Sequence, residues 1–76
     1  MTLKNSVIRT FTLEVTPDQK RVVSLLSKGK TVKEVAKEIK VNLRTLEARL
    51  DSLRFKHGCK NNVELVADFV RNKLID

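Results

Sequence analysis

The sequence predicts an all-α domain of four short helices preceded by a short extended segment. Three observations carry that expectation. Four stretches share one helix-start grammar, a side chain that caps a backbone N–H followed three residues later by Glu, Gln or Thr. Two glycines stand where helices would stop, each just after a lysine or histidine, which suits a left-handed cap and the negative end of the helix dipole. Between these marks the apolar residues recur with a helical period. At 76 residues the chain has room for one domain. It divides into an N-terminal segment, 1–15, and a helical domain, 16–76.

Residues 1–15 read differently from the rest. Val7, Arg9, Phe11, Leu13 and Val15 alternate with Ile8, Thr10, Thr12 and Glu14, the period of two that suits an extended strand. A lone strand has no ladder partner, and three fates are open: lying across the helices, pairing with its copy in a dimer, or remaining a tail.

The first helix, about 17–28, starts at Thr16-Pro17-Asp18-Gln19, with proline at the first helical position where its missing N–H is harmless. It carries Val22, Val23, Leu25 and Leu26 and stops at Gly29. The second, about 32–39, starts at Thr31-Val32-Lys33-Glu34 and carries Val32, Val35, Ala36 and Ile39. The third, about 43–57, starts at Asn42, with Thr45 a poor return partner, and runs Leu43, Leu46, Leu50, Leu53 before Gly58. The fourth, about 62–73, starts at Asn61-Asn62-Val63-Glu64. Helices this short do not stand alone in water, so mutual packing is expected to hold them.

Small size limits a single core to roughly 3–5 kcal/mol of net stability. One cysteine (Cys59) closes no intrachain disulfide, and one histidine (His57) builds no zinc site with it. Cys59 is therefore expected to behave as a small buried apolar group. No apolar run reaches the roughly 18 residues of a membrane helix. Arg9 and Glu14 interrupt the one candidate signal stretch, so a cytoplasmic location is expected. An enzyme is not expected: there is no glycine-rich phosphate loop and no nucleophile near the single histidine. No cofactor, metal or small-molecule ligand is implied.

The net charge of +7 points outward, to nucleic acid, an anionic membrane or an acidic protein, and it is unevenly spread. Residues 1–15 carry +1, 16–41 carry +4 (seven cations, three acids), 42–60 carry +3 (five cations, two acids) and 61–76 carry −1. The excess thus surrounds helices two and three. These are joined by only about three residues, Lys40-Val41-Asn42, the form of a helix–turn–helix whose second helix enters the DNA major groove. Ala36 would allow the close crossing, and Val41 with Leu46 would fill the wedge.

From Thr16 to Ala67, 52 of the 76 residues, the chain resembles without a gap the LuxR-type (GerE-type) DNA-binding domain of bacterial transcription regulators. The residues that carry the resemblance are Thr16-Pro17, Val22-Val23, Leu25-Leu26, Gly29, Lys33-Glu34-Val35-Ala36, Ile39, Val41, Thr45-Leu46, Leu50, Leu53, Lys56, Gly58, Asn61 and Glu64. The resemblance implies the four-helix fold, a recognition helix at about 43–57, and homodimerisation through the fourth helix. Glu47, Ala48 and Asp51 match positions that the family aims at base edges, the first and third often basic there. The chain departs from the pattern at Gln19 (usually Glu), Arg49 (usually His), Asn62 (often Arg), Cys59 (Val), and at Arg54 and His57, where the family has apolar residues. Phe55 takes a usually basic place. These changes leave open a last turn of the third helix that is rotated or packed differently.

The expected DNA contacts are Lys33, Lys40, Arg44, Thr45, Glu47, Ala48, Arg49, Asp51, Lys56 and Lys60. The cations and the Thr45 hydroxyl would hold phosphates. For the two acids, two readings stand. Glu47 can accept from the cytosine N4 amino group, or Glu47 pairs with Arg44 and Asp51 with Arg54, making a solvated surface. Helix four has more apolar surface than one face buries: either Val63, Val66, Phe69 and Val70 make a dimer contact, placing two recognition helices about one DNA turn apart, or a small core uses every apolar residue the helix has.

The expected function is a stand-alone transcriptional regulator binding duplex DNA as a homodimer, with RNA polymerase or another regulator as further partners. The alternative is a protein-interaction module of the same fold that docks on another regulator and does not read DNA. RNA binding has little support, because the chain has no Tyr or Trp and three Phe for stacking.

Overall fold

A computed structural model describes residues 15–75, and the expected extended segment falls outside them apart from Val15. Four helices follow: α1 (Pro17–Ser27), α2 (Val32–Glu38), α3 (Leu43–His57) and α4 (Asn62–Arg71). There is no strand among the described residues.

The helices begin where side chains complete their first turns. Thr16 and Gln19 form a reciprocal capping box on α1, and Thr31 with Glu34 forms another on α2. Asn42 caps α3 by accepting from the Arg44 N–H at 2.8 Å, and Thr45 makes no return bond. Asn61 accepts from the Glu64 N–H, while the Glu64 carboxylate reaches past it to the Lys60 N–H at 2.7 Å.

All four helices end the same way. The chain turns left-handed at Gly29, Lys40, Gly58 and Lys73, with φ of 92°, 61°, 68° and 58°. The next amide then bonds back five residues: Lys30 N to Leu25 O, Val41 N to Ala36 O, Cys59 N to Arg54 O and Leu74 N to Phe69 O. This closure satisfies carbonyls that the helix leaves unpaired. Glycine adopts that backbone at no steric cost, whereas a lysine there is strained by its Cβ. The sequence marks only the glycine pair.

The helices pack in a ring, α1 on α2, α2 on α3, α3 on α4 and α4 on α1. Their shared core is Val22, Val23, Leu25, Val35, Ala36, Leu46, Leu50, Leu53, Leu65 and Phe69. Val15, Leu26, Val32, Ile39, Val41, Cys59, Val66, Leu74 and Ile75 pack around it, half-buried. Two expectations are corrected. Leu43, at the first position of α3, is half-exposed rather than a core residue. Phe69, expected at a dimer surface, is completely buried. Leu65 and Phe69 lie four apart and share one face of α4, and burying that larger pair removes more apolar area from water than the valine stripe would.

No helix among the described residues is long and apolar enough to cross a membrane.

Candidate nucleic-acid interface

The α2–turn–α3 unit is built by the closure of one helix running directly into the cap of the next. Ile39 ends α2, Lys40 turns the chain left-handed, Val41 folds back onto the Ala36 carbonyl, and Asn42 starts α3. Val35, Ala36 and Leu46 are buried in the crossing, with Val41 half-buried against them. The wedge therefore has the residues expected for it.

Leu46, Leu50 and Leu53 turn one face of α3 inward, which turns the opposite face to solvent. Arg44, Glu47, Ala48 and Asp51 are exposed on or beside it, Thr45 and Arg49 are exposed on the flank, Arg49 on the side nearer α1, and Lys33, Lys40, Lys56 and Lys60 are exposed as well. Every expected DNA contact is thus accessible. Between α2 and the start of α3 lies an open hollow lined by Lys33, Glu34, Ala36, Lys37, Val41 and Leu43.

The two acids differ in their surroundings. Asp51 pairs with Arg54 at 3.2 Å, three residues on, as one of the two readings expects. Glu47 makes no ion pair with Arg44 or with any other described residue. Its carboxylate is therefore available to an outside donor, whereas that of Asp51 is already engaged.

The last turn of α3 holds the contacts that sequence reasoning missed. Arg54 points toward α4 and donates from Nη1 to the Asn62 side chain at 2.6 Å. The His57 side chain is 1% exposed, and its Nδ1 lies 2.8 Å from an oxygen of Asp68. The carboxylate can only accept, so Nδ1–H is the donor of this pair. The imidazole also packs on Phe69, with ring centroids 5.1 Å apart, and its Nε2 has no hydrogen-bond partner among the described residues. Asp68 additionally accepts from the Asn72 side chain and lies 3.7 Å from Arg71. Two polar residues thus occupy the inner side of this last turn, and α4 supplies the partner for each. No local spacing announces either contact, because the partners lie eight and eleven residues away on the next helix.

Cys59 follows the left-handed Gly58, half-buried against the core. Burial pushes its thiol above the usual range, and the Asp68 and Glu64 carboxylates add to that, which disfavours a reactive thiolate.

On α4, Val63 and Val70 are exposed and Val66 is half-buried. With Phe69 turned inward, these valines, the first and last seven positions apart, are what remains of the expected dimer contact. The exposed Ala67 stands among them.

No family model, curated protein or solved structure matches the chain.

Proposed function

We propose that the chain is a sequence-specific DNA-binding regulator of the LuxR type, acting as a homodimer through α3. The observation that carries this reading is the fully exposed outer face of α3. Arg44, Glu47 and Ala48 stand on it, flanked by Thr45 and Arg49, and Lys33, Lys40, Lys56 and Lys60 are exposed on the same α2–turn–α3 unit and just after it. Cations and the Thr45 hydroxyl would fix the protein on phosphates, while Glu47 and Ala48 test base edges. The neutralisation of Asp51 by Arg54 supports the reading, because it removes one of two acids that would repel a polyanion. Val63, Val66 and Val70 supply the two-fold contact.

Selection from a library of random duplexes tests this. The expected result is enrichment of a two-fold site with half-sites about 10–10.5 base pairs apart. A library returned without enrichment refutes it, and the exposed face of α3 then belongs to a protein contact.

A further inference from the structure

Phe55 is the most exposed large apolar side chain among the described residues, at 90%. Nothing in the phosphate-and-acid account uses it. Its position on α3 is specific. With about 100° of turn per residue, Arg44, Ala48, Asp51 and Phe55 follow one another at spacings of four, three and four along a single line. That line lies opposite the buried Leu46, Leu50 and Leu53. Phe55 and Ala48 are the two apolar side chains on it. Two cations stand near the ring: Lys56 follows in sequence, and Lys60 lines the same open hollow, in which Asp51 and Arg54 pair with each other. Cations beside an apolar ring fit a surface that is anionic at its edges and carries apolar groups within. The major groove of duplex DNA has that pattern wherever thymine presents its 5-methyl group.

We infer that Phe55 is a specificity-determining residue that packs on a thymine 5-methyl group in the major groove, alongside a second such contact by Ala48. The inference rests on the DNA-binding reading and deepens it. Seven residues separate the two side chains, a rise of about 10.5 Å along the helix. At roughly 3.4 Å per base pair that is about three pairs. Each half-site should therefore hold two thymine-bearing pairs about three apart.

The test begins from the duplex selected by the wild-type chain and uses Phe55→Ala and Lys56→Ala. Because the ring is exposed, Phe55→Ala should leave thermal unfolding unchanged, which separates a binding loss from a folding loss. It should weaken binding roughly tenfold and abolish preference at one base pair only. Lys56→Ala should weaken all sequences alike. Replacing that one thymine by uracil removes only the methyl group. This should cost the wild type about fourfold and cost Phe55→Ala nothing further. Equal affinity and equal base preference for wild type and Phe55→Ala would overturn the inference while leaving the DNA-binding reading standing. So would a uracil penalty of the same size in both. A wild-type chain that retains no duplex even at low salt overturns the parent reading and this one with it.

Discussion

Removing the Asp68 carboxylate tests whether the polar contact between α3 and α4 is a structural requirement. In Asp68→Ala the His57 ring stays buried at 1% side-chain exposure, but its Nδ1–H loses the acceptor 2.8 Å away. Since Nε2 already lacks a partner among the described residues, neither ring nitrogen would then be satisfied. A buried donor without an acceptor costs about 1–3 kcal/mol. The exposed Arg71 contact at 3.7 Å adds little. Against a total of roughly 3–5 kcal/mol for a domain of this size, about 2 kcal/mol is half the stability. With a urea dependence near 1 kcal/mol per molar, the midpoint should fall by about 2 M. The double variant His57→Leu/Asp68→Ala replaces both polar partners with apolar groups, which is close to neutral, so it should be more stable than Asp68→Ala alone. Urea titration of the helical circular dichroism signal measures both. A loss below about 0.5 kcal/mol for Asp68→Ala, or a double variant as unstable as the sum of the singles, would refute the reasoning.

Two other expectations follow from the helix ends. Lys73 holds a left-handed backbone at φ 58°, so Lys73→Gly should stabilise the fold by about 0.5–1 kcal/mol, seen as a rise in the thermal midpoint; no change would show that the turn is unstrained. The Glu34 carboxyl accepts from the Thr31 N–H, and that bond, with the Thr31 hydroxyl contact, holds it below the usual carboxylate range. A depressed folded-state value means the capping contribution is present above the unfolded value and is lost as pH falls through the folded one. In carbon-detected titration, Glu34 should protonate below a free glutamate, and an ordinary value would show that the box is open in solution.

The sequence was most informative where one residue fixes the local outcome. Thr16, Thr31, Asn42 and Asn61 each cap a helix by their own side chains, and Gly29 and Gly58 each relieve a left-handed backbone, so starts and two of the stops could be read directly. Lys40 and Lys73 adopt the same backbone without the residue that announces it; there the closing hydrogen bonds to Ala36 and Phe69 decide, and these depend on helix length. Helix α4 is ambiguous in sequence because apolar residues occupy two of its stripes, and only packing shows that Leu65 and Phe69 face inward. The exposure of Arg44, Glu47, Ala48 and Asp51 was legible from the leucine spacing of α3. The partners of Arg54 and His57 were not. Asn62 and Asp68 lie eight and eleven residues away, and their approach is set by how two helices cross rather than by any local spacing.

The most direct test of the central claim is the salt dependence of duplex binding by the intact chain, with two chains expected per site. Residues 16–60 carry +7, and the candidate phosphate ligands Lys33, Lys40, Arg44, Arg49, Lys56 and Lys60 are all exposed. For about 4–8 phosphate contacts per dimer, log K should fall with log salt at a slope of roughly −4 to −7. A flat slope would contradict the phosphate contacts, and absence of binding at low salt would contradict the DNA-binding account as a whole.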